Sequence, residues 1–286
     1  EYMTGLLSLL CGYVGDDGAE KLPESRFIDW PNSENGEAKD AGLQSMLLMA
    51  MERGAFICDT LGEYEISDKC RKAAEKLSGH RPSAGGSKQA ASLMVCAGLA
   101  DAEKTNREIL SVGGAKGFST FLGYYTLSAI AESGDYDGAI EAMKQYWGGM
   151  LDMGATTFWE DFNIDWMENS GRIDEPVPDG KRDIHGDFGA YCYLGFRHSL
   201  CHGWASGPVP YLAQTVLGVK VTSPGTRSVD IVPHLGRLDY VKGSYPTPHG
   251  DIRISHVRGS GGIIDTKVEL PPMWRKTGAV SYEYFG

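Results

Sequence analysis

The stretch ESGDYDGAIEAM, residues 132–143, decides the reading of the fold. Ahead of Gly134, FSTFLGYYTLSAIAESG (118–134) carries apolar residues at steps of three and four, and DYDGAIEAMKQYWGGMLDMG (135–154) does the same behind it. That spacing collects apolar side chains on one face of a helix. A helix therefore ends at Gly134 and the next begins within three residues, which makes an αα-hairpin.

The same grammar recurs on both sides of this hairpin. Leu43, Met46, Leu47, Ala50, Met51, Ile57, Cys58 and Leu61 follow helical spacing up to a stop at Gly62. EISDKCRKAAEKL (65–77) predicts a second helix, capped by Ser67 or Asp68 and ended near Gly79. SKQAASLMVCAGLA (87–100) and DAEKTNREIL (101–110) continue the series through short Gly/Ser/Asp links. Paired helices in series predict a helical toroid or a repeat solenoid, and no fixed-period motif runs through them to favour the solenoid. One more helix is expected in SLCHGWASGPVPYLAQTVLG (199–218), broken or kinked by Pro208 and Pro210. From about residue 219 the period changes to two, in short runs such as GDIRISHVR and GIIDTKVEL separated by Gly and Pro turns, which predicts an antiparallel β-sandwich. The expected domains are 1–218, helical, and 219–286, β.

Composition narrows the function class. The net charge is −11 and no lysine/arginine stripe gathers, so the electrostatic footprint of a nucleic-acid binder is missing. A neutral substrate such as a sugar would not be repelled. The six cysteines form neither Cys-x-x-Cys pairs nor a dense framework, and read as mostly buried thiols. No run approaches the ~20 apolar residues that span a bilayer. The first residue is Glu, and EYMTGLLSLLCGYVG (1–15) reads as the interior of a helix, so the chain is expected to begin partway into a longer polypeptide.

Three clusters can carry chemistry. GATTFWEDF (154–162) sets Glu160 beside Trp159, Thr156 and Thr157, an acid or base with a stacking platform and polar groups to orient it. The alternative is that Glu160 caps a helix or pairs with an arginine. FRHSLCHGWASGP (196–208) offers His198, His202 and Trp204; the histidines, four apart on the expected helix, would face the same way, with His202 contacting a sugar hydroxyl or packing between helices. Metal is not expected there, because no third ligand lies in sequence reach. RFIDWPNSENG (26–36) places Asp29 and Trp30 before a proline turn, with a half-buried packing tryptophan as the alternative. Between the first two clusters runs a long polar stretch, DFNIDWMENSGRIDEPVPDGKRDIHGDFG (161–189), whose aromatics favour an ordered, functional loop. Its acids, Asp161 included, are expected to be mostly solvated, and His185 is a substrate contact, a metal ligand or a surface histidine.

Taken together, MLDMGATTFWEDF (150–162), HSLCHGWASGPVPYL (198–212), PGTRSVDIVPHLGRLDYVKGSYPTPHGDI (224–252) and FIDWP (27–31) resemble the bacterial α-L-rhamnosidases among the six-hairpin glycosidases. The resemblance implies an (α/α)6 barrel followed by a β-sandwich, and inverting hydrolysis of terminal α-L-rhamnosides without a cofactor. It implies that Glu160 is the general base that activates water, that His202 contacts the sugar, and that Trp30 walls the pocket. Trp159, Asp29, Trp204 and His185 complete the expected substrate-binding set. Relatives occur inside and outside the cytoplasm, with a periplasmic or secreted place expected first.

Two departures qualify the transfer. The insert RIDEPVPDGKRDIHGDFGAY (172–191) replaces a short link, which implies a different substrate or linkage. The family's general acid lies in an upstream Asp-Cys-Pro stretch followed by Arg-Asp-Glu, and neither is in this sequence. The early hairpins and the acid are therefore expected before residue 1, in a missing N-terminal part of the same polypeptide. If the chain is instead the whole protein, Asp29 or Glu34 remains to serve at the ~6.5–9.5 Å from the base that inversion requires. The rival readings are a non-catalytic carbohydrate-binding protein derived from this fold, another six-hairpin exo-glycosidase or a phosphorylase, and a helical scaffold in which the Trp/His/Glu cluster is dispersed.

Overall fold

A computed structural model describes residues 1–23 and 25–286. Contacts divide the chain into two compact units, Glu1–Ser206 and Gly207–Gly286. The stretch 207–218, which the sequence reading placed with the helices, lies in the second unit.

The first unit is built from α1 (Tyr2–Cys11), α2 (Gly36–Thr60), α3 (Tyr64–Ser78), α4 (Lys88–Cys96), α5 (Ala102–Thr105, running into a π-helical turn Asn106–Leu110), α6 (Gly123–Glu132) and α7 (Tyr136–Asp152). Side chains cap several of them: Asn35, Ser87, Asp101 and Asp135 accept from backbone N–H groups three residues on, at 2.8–3.1 Å. Gly134, with φ +86°, makes the α6–α7 turn in a backbone region that a side chain disfavours. α2 packs on α3, and contacts also join α2 to α4, α4 to α6 and α1 to α3. Alternate helices thus lie side by side. Leu47, Leu48, Met51, Cys58, Cys70 and Leu77 fill the core between α2 and α3. Cys58 and Cys70 are buried there, whereas Cys201 is exposed, against the expectation of burial.

Three expectations about helices are corrected. α3 starts at Tyr64, so Ser67 is no cap; its buried hydroxyl donates to the Ala55 carbonyl at 3.0 Å and ties α3 to α2. α6 starts at Gly123 rather than near Phe118, because Ser119 and Thr120 are engaged elsewhere: the Ser119 side chain bonds Asp29 and the Thr120 hydroxyl donates to the Glu160 carbonyl. The helix expected over 199–218 is not continuous. Residues 198–202 run without helix, Gly203–Ala205 is a single 3₁₀ turn, and α8 covers only Pro208–Tyr211 before a π-helical turn, Leu212–Val216. Pro208 begins that helix instead of breaking it, since the first turn needs no N–H from it.

Residues 161–189 are ordered by their aromatics, as expected. Trp166 stacks on Phe188 at 5.7 Å, the Arg182 guanidinium lies 3.8 Å from the Phe188 ring centre, and β1 (Ser170–Gly171) pairs in parallel with β2 (Arg182–Asp183).

The second unit carries two antiparallel sheets. β3 (Val219–Val221), β4 (Ser228–Ile231), β9 (Ser281–Tyr284) and β8 (Trp274–Lys276) form one, in that order; β5 (Tyr240–Tyr245), β6 (Ile252–Arg258) and β7 (Ile264–Glu269) form the other. Val229 and Ile231 from the first sheet share a buried cluster with Ile252 and Ile254 from the second. The alternation along β6 is what periodicity two requires, with Ile252 and Ile254 inward and Arg253 outward. β3 and β8 are short strands that the pattern did not single out.

Candidate active site

The chain around Glu160 lies against residues 199–202. Glu160 N–H donates to the Ser199 carbonyl at 2.8 Å, His202 N–H donates to the Phe158 carbonyl at 2.8 Å, and the Thr157 hydroxyl donates to the Leu200 carbonyl. These bonds satisfy both backbones without a helix, which is why the 198–202 stretch leaves helical geometry. They also bring the first two sequence clusters together.

Glu160 is held at both ends. Its Oε2 accepts from Ser199 N–H at 2.7 Å, and its Oε1 lies 3.4 Å from His202 Nε2. Its carbonyl accepts from Thr120 and from the Trp204 indole N–H, the latter at 2.9 Å. Among the described residues the carboxylate neither caps a helix nor meets an arginine. His202 Nδ1 accepts from Trp204 N–H at 3.4 Å, so a neutral ring carries its proton on Nε2, aimed at Glu160. Trp204 lies 4.5 Å from the His202 ring and 5.1 Å from Phe121. Its position is fixed from both sides.

A second carboxyl was missed. Asp161, expected in solvent, is half-buried, and its Oδ2 is shut off from solvent with no hydrogen-bond partner among the described residues. Burial, with the charges of Asp29 and Glu160 adding, pushes its pKa up to about 6. Asp29 is 3% exposed and also raised by burial; its Oδ1 caps the Trp30 turn at 2.8 Å while its Oδ2 is unpartnered. Three carboxyls therefore sit close enough to feel one another. The Trp30 indole bonds the hydroxyl of buried Tyr193, which in turn feels the charge of Glu160. Asp29 and Trp30 accordingly join the same neighbourhood.

Two expected contacts fall elsewhere. Trp159 is 3% exposed and meets Phe162 edge-on at 5.8 Å, so it packs the core and offers no face to a substrate. An extended chain alternates its side chains, and here the residue next to Glu160 is turned inward. His185 does not meet Glu160 directly; its ring lies 4.5 Å from buried His198, and its Nε2 is 3.2 Å from the His198 carbonyl. Burial and His185 lower the His198 pKa to about 4, which keeps that ring neutral. His198 and His202 do not share a face. Besides Asp161, the sequence reading passed over Tyr191 and Tyr193, whose only signal was the Tyr-x-Tyr spacing at the end of the long insert. Among the described residues no three His, Cys, Asp or Glu side chains converge as a metal site, and no helix is long and apolar enough to cross a membrane.

An α-L-rhamnosidase of Alteromonas sp. (strain LOR) is 32% identical over 127 residues, which cover 44% of this chain and 11% of the relative. The chain resembles the α-L-rhamnosidases. A GH78 family rhamnosidase of Bacillus sp. GL1 superposes over 93% of the chain with a TM-score of 0.68 at 21% identity, using 29% of that structure. Rhamnosidases of Dictyoglumus thermophilum (TM-score 0.70, 15% identity) and Aspergillus terreus (0.68, 18%) each match over 94% of the chain and 30% and 33% of their own. The fold is thus that of a portion of these enzymes, with helices through the first unit and antiparallel sheets towards the C-terminus. The chain spans about a tenth of the curated relative and about a third of the solved structures. No protein-family model matches the sequence.

Proposed function

We propose that this chain carries the general-base half of an inverting α-L-rhamnosidase site, on part of an (α/α)6 toroid that is followed by a β-sandwich domain. The contacts between alternate helices support the toroid, and the shared core of the two sheets supports the sandwich. The observation that carries the chemistry is the clamping of Glu160: one oxygen is fixed by Ser199 N–H, and the other faces His202 beside the Trp204 ring. A base must be held in one orientation to take a proton from water, and a sugar site needs an aromatic wall with a polar contact next to it.

In this reading Glu160 Oε1 removes a proton from water, whose oxygen attacks the anomeric carbon. The bond to the leaving oxygen breaks, and a general acid on the opposite face protonates that oxygen. Asp29 is not the acid in this reading: at 3% exposure, with its Oδ1 capping the Trp30 turn and Ser119 bonded to its carboxyl, it is closed to a leaving group. The acid is therefore proposed to lie in sequence outside this chain, as the resemblance implies.

The test is Glu160→Gln in the full-length enzyme, assayed with an aryl α-L-rhamnoside. Turnover should fall by about 10²–10⁴-fold or more while sugar binding is kept. Retained turnover would remove Glu160 from the mechanism. Binding with no turnover in the unmutated full-length protein would instead favour the carbohydrate-binding reading.

A further inference from the structure

Phe27, Trp30 and Tyr191 form a continuous strip of rings. Phe27 meets Trp30 edge-on at 5.0 Å, and Trp30 lies nearly parallel to Tyr191, at 6.0 Å and 23°. Tyr191 is 48% exposed and Phe27 41%. Large apolar rings gathered on a surface mark a contact site more often than rings scattered singly. The backbone of Tyr191 adds a second observation, since its φ of +58° is an outlier for a bulky residue. Such strain persists where the surroundings impose it, and it concentrates at ligand clamps.

A polar handle accompanies the strip. The Tyr191 hydroxyl feels the charges of Asp161 and Asp29, and among the described residues nothing hydrogen-bonds it. Flat apolar faces bordered by a hydroxyl suit a sugar ring: its C–H face lies on an aromatic plane while one of its hydroxyls meets the tyrosine hydroxyl, which both donates and accepts. The strip is also offset from Glu160. Tyr193 intervenes, bonded to the Trp30 indole on one side and sensing Glu160 on the other, and Glu160 has an aromatic wall of its own in Trp204 and Phe121. Two walls divided by one side chain fit two consecutive rings better than one.

We propose that Tyr191, with Phe27 and Trp30, forms a leaving-group subsite that takes a second sugar ring beside the one at Glu160. This rests on the rhamnosidase reading and extends it to the insert after Glu160. The insert then supplies specificity for what the rhamnose is attached to.

The experiment measures binding by calorimetry to the full-length enzyme carrying Glu160→Gln, so that no ligand is consumed. Three ligands are compared: methyl α-L-rhamnoside, an α-L-rhamnosyl-glucose disaccharide and 4-nitrophenyl α-L-rhamnoside. Tyr191→Ala should weaken the disaccharide about tenfold, the scale of a lost aromatic contact, and leave the methyl glycoside unchanged. Tyr191→Phe should keep most of the stacking and lose only the hydroxyl contact. Phe27→Ala, as a second exposed position, should act in the same direction. Equal affinities before and after Tyr191→Ala would overturn the subsite, and a loss confined to the nitrophenyl ligand would reassign it to a planar aryl group. If none of the three ligands binds, the rhamnosidase reading itself fails, and this inference falls with it.

Discussion

Asp161 and His198 are the residues whose charge the fold alters most near Glu160, and they act in opposite senses on stability. The folded pKa of Asp161, about 6, lies above its unfolded value near 3.9, so its stabilising effect is present below about pH 4 and is lost as pH rises through 6. A shift of this size corresponds to roughly 3 kcal/mol. His198 has its folded pKa lowered to about 4, so its contribution is present above its unfolded pKa near 6.5 and is lost as pH falls towards 4. The two slopes oppose each other over the same window. Asp161→Asn, which imitates the protonated acid, should therefore match wild type near pH 4 and exceed it by up to ~3 kcal/mol at pH 8. Urea unfolding at both pH values measures the difference. An Asn variant with no gain at the higher pH would show that Asp161 is an ordinary carboxylate.

The residue scale also shows what spacing leaves undetermined. Glu160 stood out in the sequence because its neighbours are aromatic and hydroxylic, and the structure brings it against His202 and Trp204 from forty residues away. Asp161 did not stand out, since an acid at the head of a polar loop reads as solvated. Its raised pKa comes from desolvation, to which the charge of Asp29, from a distant part of the chain, adds. Trp159 misled for the converse reason: its type suggests a sugar platform, whereas its orientation is set by packing on Phe162.

Among the elements, the helices were legible wherever local chemistry was decisive. Asp135 caps α7 and Gly134 turns the chain, as ESGDYDG announces. Added at Gly134, a Cβ meets open space, so Gly134→Ala should cost only the strain of its left-handed backbone, ~1–2 kcal/mol in thermal or urea unfolding. Gly189 differs. Its φ is +141°, and a Cβ there would fall 1.6 Å from the Tyr193 carbonyl oxygen, so Gly189→Ala must displace the segment that carries Tyr191 and Tyr193. The expected result is a changed tryptophan emission as Trp30 loses its partners, with a stability cost of ~1–3 kcal/mol. An unchanged spectrum would mean that this segment does not hold the aromatic strip. The extended course of 198–202 was not legible, because His202 and Ser199 satisfy their backbones against 158–160, a pairing that no local pattern encodes.

At the scale of the molecule, two compact units each enclose apolar side chains of their own, Leu48 within the helical core and Ile231 within the strand core. The cores share no residue, so substitutions in them should act independently. Leu48→Ala should cost ~2–5 kcal/mol and Ile231→Val ~0.5–1.5 kcal/mol. The double variant should show the sum to within about 0.5 kcal/mol, read from urea unfolding of the four proteins. A clear departure from additivity would mean that the two cores unfold as a coupled network.

Periodicity, glycine stops and side-chain caps are properties of neighbours in the chain, and from them the sequence alone determined the series of helix pairs, the change to strands after residue 219, and the candidacy of Glu160. Side-chain direction and burial depend on segments far apart in the chain. It is folding that turns Trp159 inward, holds the Asp161 proton up to about pH 6, sets His202 rather than His198 against Glu160, and brings Tyr191 and Tyr193 to Trp30. Hydrogen bonding and desolvation act between groups that meet only when the chain is folded, and no local pattern records which groups those are.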